Sequence, residues 1–273
     1  MSRRFYKMSG SGNDFVFLDG REHTLADWPA GRIRRVCDRR RGVGGDGIVL
    51  LTPTGGGPIR MQYYNADGSH ADMCGNAALC ASRLAVHLGL ATTGASIALA
   101  TDAGRLEGRT FGVGWQAELR FPEASVPAPI DLPLIDGERR AFHGVVGVPH
   151  AILEVADIQS VDVQGRGREL RFATQVGEPG ANVNFIGPTD DPEAPWALRT
   201  YERGVEAETL ACGTGTIAAA LALAAAGGRL PMRIRSGSGS VYSVSGAIDG
   251  AVARDVWLAG EGRLVFTGEL VAE

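Results

Sequence analysis

The stretch that decides the fold is YERGVEAETLACGTGTIAAALALAAAGG, residues 201–228. It follows a segment at 197–201 that has the composition of a β-strand. A polar turn then leads to Cys212-Gly213, and residues 214–226 are rich in Ala and Leu, which favours a helix ending at Gly227-Gly228. The stretch therefore predicts a strand, a turn and a helix, with one cysteine at the N-terminus of the helix.

A second stretch, earlier in the chain, has the same plan. Residues 63–90, YYNADGSHADMCGNAALCASRLAVHLGL, contain Cys74-Gly75-Asn76, and apolar residues recur at helical spacing over 74–88. Tyr64-Asn65 precedes Cys74 by ten and nine residues, as Glu202-Arg203 precedes Cys212. The offset between the two cysteines, 212 − 74 = 138 residues, is about half the chain. This pattern indicates an internal duplication that gives two similar lobes, each with one thiol at a helix N-terminus.

A cysteine at a helix N-terminus lies at the positive end of the helix dipole, beside N–H groups that lack a partner in the helix, and both favour the thiolate. The same N–H groups bind anions, and an adjacent glycine lets a ligand approach the backbone. If two such helices hold one carboxylate, their thiols lie on opposite sides of the carbon that bears it. This arrangement predicts proton removal from one face of that carbon and proton return on the other, with the N–H groups stabilising the charge that develops.

Two other interpretations of the cysteines are open. Buried core cysteines are common, and this is the interpretation of Cys37 and Cys80, which have no adjacent glycine. For Cys74 and Cys212 the matched contexts favour catalysis, and a redox pair is the alternative.

Short strands predominate outside these two helices, which favours an α+β fold. Strands are predicted at 48–51 and 59–64 and at several places between 95 and 121. Residues 27–41 favour a helix whose arginines form a solvated face, with Ile33, Val36 and Cys37 turned inward. The proline-rich stretch at 122–133 is the candidate linker between lobes.

The composition excludes several classes of protein. The 273 residues are 44% hydrophobic and carry a net charge of −4, which is typical of a globular protein and opposes nucleic-acid binding. The longest apolar run, 217–226, is too short to cross a membrane, and the first residues lack the apolar run of a signal peptide, so a cytoplasmic location is expected. Only one of the 27 basic residues is a lysine, Lys7, and it has no context for a pyridoxal-phosphate Schiff base. No cysteine or histidine has zinc-ligand spacing, so neither a metal nor a cofactor is expected.

Six motifs together resemble the diaminopimelate epimerase family. They are SGSGNDF (9–15), YYNADGS (63–69), ADMCGN (71–76), GVPHAI (147–152), NVNF (182–185) and YERGVEAETLACGTG (201–215). Proline racemase-like enzymes share the two-thiol plan and a CGTG motif, but they do not usually carry the GND, NADGS and ERG blocks together.

The resemblance implies a cofactor-independent epimerase that interconverts LL- and meso-diaminopimelate on the route to lysine and peptidoglycan. It implies an α+β fold of two pseudo-symmetric lobes, each a mostly antiparallel sheet wrapped around a central helix, with the active site in the cleft between them. The lobes would be 1–115 plus 262–273, carrying Cys74, and 116–261, carrying Cys212. The family also implies a homodimer that acts on a small amino-acid substrate, with no nucleic-acid or membrane partner.

The resemblance also assigns roles to single residues. Cys74 and Cys212 would be the acid/base pair, and His150 and Glu202 would support their proton transfers and help to orient the α-ammonium group. The reacting carboxylate would be held by Gly75, Asn76, Gly213 and Thr214. The distal amino-acid head would be bound by Asn13, Asn65, Asn182 and Arg203, of which the arginine suits a bidentate carboxylate contact.

Three positions depart from the family pattern. Val148 stands where the family commonly has asparagine, so a polar contact to the distal end of the substrate is lost. Ala77 replaces a glycine, and Leu79 replaces an arginine behind the catalytic helix. Val148 keeps a related two-thiol racemase of another amino acid open, of the histidine, lysine, ornithine or proline type. A non-catalytic thiol-redox or anion-binding protein on the same scaffold is the alternative from another class.

Overall fold

The computed structural model describes residues 4–112 and 114–271. It contains two compact units, of which the first comprises the described residues of Met1–Arg120 and Ala259–Glu273, and the second is Phe121–Leu258. The family resemblance implied changes of lobe at 115/116 and 261/262, whereas the two compact units change at 120/121 and 258/259. Each change falls inside a strand, β8 (Gln116–Ser125) or β17 (Val252–Glu261).

The first unit is a mostly antiparallel sheet with two α-helices. Its elements, besides β8, are β1 (Arg4–Gly10), β2 (Asn13–Asp19), α1 (Ala30–Cys37), β3 (Gly47–Thr52), β4 (Ile59–Asn65), β5 (His70–Ala71), α2 (Gly75–His87), β6 (Ile97–Thr101), β7 (Gly104–Thr110) and β18 (Arg263–Glu269). Strands β1 and β2 form a hairpin, and β2 and β3 run parallel. Strand β4 pairs with β3 and β5 in antiparallel and with β6 in parallel, whereas β6 pairs with β7, β7 with β8, and β18 with β1, all in antiparallel.

The second unit repeats this order. Its elements, besides β17, are β9 (Ala128–Pro129), β10 (Glu138–Val146), β11 (Val148–Val155), α3 (Val163–Arg171), β12 (Asn182–Pro188), β13 (Trp196–Glu202), β14 (Ala207–Thr209), α4 (Gly213–Ala225), β15 (Met232–Arg235) and β16 (Val241–Asp249). Strands β10 and β11 form a hairpin, and β11 and β12 run parallel. Strand β13 pairs with β12 and β14 in antiparallel and with β15 in parallel, whereas β15 pairs with β16 and β9 with β10, both in antiparallel.

The duplication predicted from two cysteines therefore extends over both units. The chain from β1 to β7 and the chain from β10 to β16 have the same succession of hairpin, helix, parallel pair, helix and hairpin. Helices α2 and α4 both have 13 residues and both begin one residue after the cysteine. The fold is α+β, as predicted.

Each sheet packs around one central helix. Helix α2 contacts β1 to β4, β6, β7 and β18, and α4 contacts β10, β11, β12, β15 and β16. The apolar and small residues Ala77–Ala81 of α2 and Ile217–Ala222 of α4 are all fully buried, so each helix is covered on almost every side. Ala77 lies in the third position of α2 and needs no glycine, and Leu79 is a core residue with no exposed surface.

Helix α1 is shorter than the 27–41 that the sequence predicted. A separate 3-10 turn occupies Leu25–Asp27, Pro29 is the N-cap residue of α1, and Asp38 ends the helix in an extended conformation. Ile33, Val36 and Cys37 are buried, so the prediction of an inward apolar face below a solvated arginine face is confirmed.

The stretch at 122–133 is not a simple linker. It contains the end of β8, and β9 pairs with β10 through Pro129 opposite Phe142. The N–H of Val126 donates to the carbonyl of Ala251 at 2.9 Å. Proline is tolerated here because these segments lie at the end of a strand or in a pairing of only two residues. In the described part of the chain, no helix is long and apolar enough to cross a membrane.

Candidate active site

Cys212 is the N-cap residue of α4, with an extended backbone (φ −134°, ψ 106°). Its carbonyl accepts hydrogen bonds from the N–H of Thr216 at 2.9 Å and from the hydroxyl of Thr216 at 2.8 Å. Its Sγ accepts a hydrogen bond from the N–H of Gly215 at 3.4 Å and lies 3.7 Å from the Oγ1 of Thr214. The sulfur is thus held against the first turn of the helix, where the helix dipole and N–H donors favour negative charge.

Cys74 occupies the same position on α2. Its backbone is also extended (φ −138°, ψ 122°), and its carbonyl accepts the N–H of Ala78 at 2.9 Å. Cys74 is half-buried, whereas Cys212 is buried. A Cβ added to Gly75 would meet no described atom within 4 Å, so the backbone of the first turn can be approached closely at this residue.

The other two cysteines lie in the core. Burial raises the pKa of Cys37 to about 11 and holds the pKa of Cys80 well above its ordinary value. Both therefore remain thiols at neutral pH. Their burial confirms the prediction that they are core cysteines.

Asn76 and Asn13 are brought together in the first unit. The Nδ2 of Asn76 donates to the Oδ1 of Asn13 at 2.8 Å, and the Nδ2 of Asn13 donates to the Oδ2 of Asp46 at 2.9 Å. Gly10, opposite Asn13 in the hairpin, permits this contact because a Cβ on it would lie 2.7 Å from the carbonyl oxygen of Asn76. Helix α2 therefore packs directly on the hairpin that carries Asn13.

A cluster of charged side chains supports these amides. Arg39 Nη2 lies 2.6 Å from Asp14 Oδ1 and 2.7 Å from Asp46 Oδ1. The buried ammonium of Lys7 lies 2.5 Å from Asp14 Oδ2 and also donates to the carbonyl of Gly44. Burial alone would raise the pKa of Asp14, but hydrogen bonds from Arg39 and Lys7 outweigh burial and lower it. The chain's one lysine is thus engaged in an ion pair.

Asn65 ends β4 and holds the turn that follows it. Its Nδ2 donates to the Oγ of Ser69 at 3.0 Å, and its N–H donates to the carbonyl of Ser69 at 2.9 Å. Gly68 completes the turn with a φ of 84°. The described hydrogen bonds of Asn65 are local to this turn and do not join it to Asn13 or Asn76.

In the second unit, Asn182 and Arg203 are in contact. The Oδ1 of Asn182 accepts the N–H of Arg203 at 2.8 Å, and the Nη1 of Arg203 lies 3.5 Å from the carbonyl oxygen of Gly180. Arg203 follows β13, and Glu202, half-buried, is the last residue of that strand, opposite Ala207. His150 lies opposite Asn182 in the parallel pairing of β11 with β12.

His150 has no exposed surface. Burial lowers its pKa to about 4, so the ring is neutral at neutral pH. Its Nδ1 lies 3.1 Å from the Nδ2 of Asn184. The turn before β11 lies close to α4, since a Cβ added to Gly147 would be 3.4 Å from the Cγ2 of Thr214. Val148 begins β11 in this turn and is half-buried.

Two residues that contact predicted site residues, each within its own unit, were not predicted from the sequence. Asn184 belongs to the NVNF motif, and Asp46 to the glycine-rich stretch before β3. Asn182 and Asn184 are two residues apart in a strand, so both side chains lie on one face of an otherwise apolar strand. That spacing was the available signal for Asn184. Among the described residues, no group of three or more His, Cys, Asp or Glu side chains could hold a metal ion.

The chain is similar to proteins of one family over nearly its whole length. A family model described as diaminopimelate epimerase matches residues 5–118 and 142–249. Relatives named diaminopimelate epimerase include one from Gemmatimonas aurantiaca, 40% identical over 97% of this chain and 98% of the relative. Another, from Aquifex aeolicus, is 35% identical over 98% of each chain.

The fold also occurs in more distant proteins. The crystal structure of a phenazine biosynthesis protein of the PhzF family from Bacillus anthracis superposes with a TM-score of 0.72. The match covers 100% of both chains at 14% sequence identity, so it supports the fold alone.

Proposed function

Because the chain belongs to the diaminopimelate epimerase family, and is therefore an amino-acid epimerase, an isomerase, we propose that it interconverts LL- and meso-diaminopimelate without a cofactor. The observation that carries the proposal is the repeated cysteine, at the N-cap of two 13-residue helices with nearly the same backbone conformation. Duplicated thiols of this kind suit a reaction that needs one group on each face of a carbon atom.

The proposed chemistry is a pair of proton transfers. The thiolate of one cysteine removes the proton from Cα, and the electron pair left behind is delocalised into the carboxylate. The thiol of the other cysteine then gives its proton to the opposite face of Cα. One thiolate and one thiol are present before and after, with their positions exchanged, and the reverse direction uses the same groups in the opposite roles.

The carbanion requires stabilisation, because a proton α to a carboxylate is only weakly acidic. We assign this to the first N–H groups of α2 and α4, at Gly75-Asn76 and Gly213-Thr214. Such groups lack acceptors within their helix and point at the charge that develops on the carboxylate. The hydroxyl of Thr214 and the amide of Asn76 would add donors at the same carboxylate.

The remaining site residues fall into two groups. We propose that His150 and Glu202 act close to the reacting carbon, where they support the cysteines. We propose that Asn13, Asn65, Asn182 and Arg203 bind the distal amino-acid head. The Asn13 amide donates one of its two hydrogens to Asp46, and its oxygen accepts a hydrogen bond from Asn76. Its second hydrogen would be available to the substrate.

The proposal extends to the setting of the reaction. The enzyme would act in the cytoplasm as a homodimer and supply meso-diaminopimelate for lysine and peptidoglycan synthesis.

Exchange of the Cα proton with solvent deuterium tests the proposal directly. The protein is incubated in D₂O with LL-diaminopimelate, meso-diaminopimelate, histidine, lysine, ornithine or proline, and deuterium at Cα is measured by mass spectrometry. We expect exchange and epimerisation with diaminopimelate. Exchange only with another amino acid would replace the substrate, and no exchange with any of them would favour the redox or anion-binding alternative.

A further inference from the structure

Asn184 and His150 form a buried pair in the second unit. Both residues have no exposed surface, and the Nδ2 of Asn184 lies 3.1 Å from the Nδ1 of His150. His150 is on β11 and Asn184 on the neighbouring parallel strand β12. Asn184 has no role in the reaction proposed for the site, although its side chain is the one that contacts His150.

The orientation of the Asn184 amide is determined by its other neighbours. Its Nδ2 lies 3.1 Å from the carbonyl oxygen of Ala151 and 3.4 Å from that of Asn182, and carbonyl oxygens can only accept. Its Oδ1 accepts the hydroxyl of Thr200 at 2.9 Å. The NH₂ group, not the oxygen, therefore faces the imidazole.

This orientation determines which ring nitrogen carries the proton. An NH₂ group can only donate, so Nδ1 of His150 must be the unprotonated nitrogen. The ring is neutral, because burial lowers its pKa to about 4; a hydrogen bond to the Val146 backbone opposes this only in part, and nearby Arg203 and His143 lower the pKa further. The single proton of the neutral ring must then be on Nε2.

The Nε2–H group lacks a partner of normal geometry in the protein. Nε2 is buried and makes no such hydrogen bond within residues 4–112 and 114–271. The contact with the Val146 backbone does not give Nε2 a hydrogen bond of normal geometry, and a fully buried donor without one is costly, so the group calls for a functional explanation. An N–H group cannot accept a hydrogen bond from an ammonium group, so this nitrogen is unsuited to orient the substrate's α-ammonium group.

The pair is also tied to the N-terminus of α4. A Cβ added to Gly215 would lie 2.2 Å from the Oδ1 of Asn184 and 3.1 Å from the Sγ of Cys212. Asn184 therefore fits against the first turn of α4 only because residue 215 is glycine. The same turn supplies Gly213 and Thr214, to which the substrate carboxylate has been assigned.

We propose that Asn184 is a positioning residue that holds His150 as the Nε2–H tautomer, so that His150 donates a hydrogen bond to the carboxylate of the substrate. The inference rests on the proposed function for the identity of the ligand, but the tautomer itself is a property of the protein without ligand. An Nε2–H donor would add to the N–H groups of α4 as charge develops on the carboxylate.

Nitrogen NMR of protein labelled with ¹⁵N-histidine tests the tautomer. The chain has five histidines, and the His150 signals are assigned as those lost in His150→Gln. We expect a protonated Nε2 and an unprotonated Nδ1 at pH 7. A proton on Nδ1 in the wild type would overturn the proposal, whether or not any variant folds.

Two variants test the role of Asn184. Asn184→Asp replaces the donor by an acceptor, and we expect the proton to move to Nδ1 and the pKa of His150 to rise. Gln159→Glu is the matched control, because it makes the same change of amide to acid at an exposed residue before α3 and should leave the His150 signals unchanged. An unchanged tautomer in folded Asn184→Asp would contradict the positioning role.

Addition of meso-diaminopimelate tests the donor role. We expect the Nε2–H proton of the wild type to shift downfield on saturation, and kcat of Asn184→Asp to fall by about tenfold or more with a smaller change in KM. His150→Gln retains a side-chain N–H donor and should keep more activity than His150→Glu. If deuterium exchange occurs but the Nε2–H signal does not move, the donor role is wrong and the proposed function stands. If diaminopimelate is not a substrate, the tautomer result in the ligand-free protein still stands.

Discussion

The Nδ2 of Asn76 donates a hydrogen bond to the Oδ1 of Asn13 at 2.8 Å, which joins the first turn of α2 to the start of β2. The other end of the Asn13 amide donates to the carboxylate of Asp46. A carboxylate can only accept, so Asp46 determines which end of the Asn13 amide faces Asn76. A residue outside the proposed site therefore determines the hydrogen-bond pattern of two proposed substrate contacts.

Replacing Asp46 by asparagine should disturb this pattern. An asparagine at 46 can donate or accept, so the Asn13 amide is free to turn over. We expect kcat/KM for diaminopimelate to fall by up to about tenfold, the scale of one neutral hydrogen bond. Steady-state kinetics measure the effect, with Asp190→Asn, an exposed residue of the second unit, as the control. Kinetics equal to wild type in Asp46→Asn would contradict the role of Asp46.

The Asp14 ion pairs should make stability depend on pH. Arg39 and Lys7 hold the pKa of the folded Asp14 carboxyl below its ordinary value of 3.8, which it regains on unfolding. A carboxyl with a lowered pKa contributes stability above its unfolded pKa and loses that contribution as pH falls through its folded pKa. Asp14→Asn should therefore be less stable than wild type at pH 7, and the difference should shrink below about pH 4.

Urea unfolding midpoints of wild type and Asp14→Asn, measured from pH 7 down to pH 3, check this dependence. Asp190→Asn serves again as the control and should match wild type throughout. A difference that stays constant over the whole range would show that the ionised carboxyl is not the source of the stability.

Gly75→Ala separates substrate binding from folding. The added methyl group would meet no described atom within 4 Å, and alanine is the better helix former by about 1 kcal/mol. We expect the melting temperature to be unchanged or higher, whereas KM rises because the methyl group occupies space that the carboxylate needs. Calorimetry and steady-state kinetics on one preparation decide this. A variant with wild-type KM would place the carboxylate elsewhere.

The four cysteines should divide into two pairs. Cys74→Ala and Cys212→Ala should each abolish epimerisation, because each thiol serves one face of Cα, although slow exchange on the remaining face can persist. Cys37→Ala and Cys80→Ala should remain active, because both thiols are buried and protonated. Deuterium incorporation and chiral analysis of the product measure both processes. Full epimerase activity in either of the first two variants would refute the two-thiol mechanism.

The sequence predicted α2 and α4 to within one residue because a cysteine followed by glycine marks both N-termini and the helices are rich in alanine and leucine. It missed α3, whose nine residues include Gly165 and Gly167 and show no apolar period. Gly167 is explained only by tertiary packing, since a Cβ there would lie 2.4 Å from the Cβ of Tyr201. Long-range contacts of this kind leave no local signal in the chain.

The candidate site likewise contains residues that local sequence motifs predict and residues whose role depends on long-range contacts. The motifs supplied the residues proposed to touch substrate, but not those that hold them. Asp46 contacts Asn13, which is 33 residues away in the sequence, and Asn184 contacts His150, which is 34 residues away. Both supporting residues depend on the pairing of parallel strands, β2 with β3 and β11 with β12, which local sequence does not reveal.

A substitution at Val148 tests which residues determine substrate specificity. The proposed carboxylate contacts at helix N-termini would accept any α-carboxylate, so under the proposal we expect selection to come from the distal residues Asn13, Asn65, Asn182 and Arg203. One missing neutral hydrogen bond is worth about 0.5–1.5 kcal/mol, and the remaining polar groups outweigh it. We therefore expect Val148→Asn to alter kcat/KM for diaminopimelate by no more than about tenfold.

Arg203 should matter far more than Val148. Asn182 accepts its backbone N–H, and most of the five donors of its guanidinium remain for a substrate carboxylate. Arg203→Ala would leave that carboxylate without its charge partner, a loss on the order of a hundredfold or more in kcat/KM. Arg229→Ala, at an exposed residue after α4, is the matched control and should be neutral. If the wild type instead ignores diaminopimelate and exchanges the Cα proton of an amino acid with an apolar side chain, Val148 determines the substrate and Arg203 has another role.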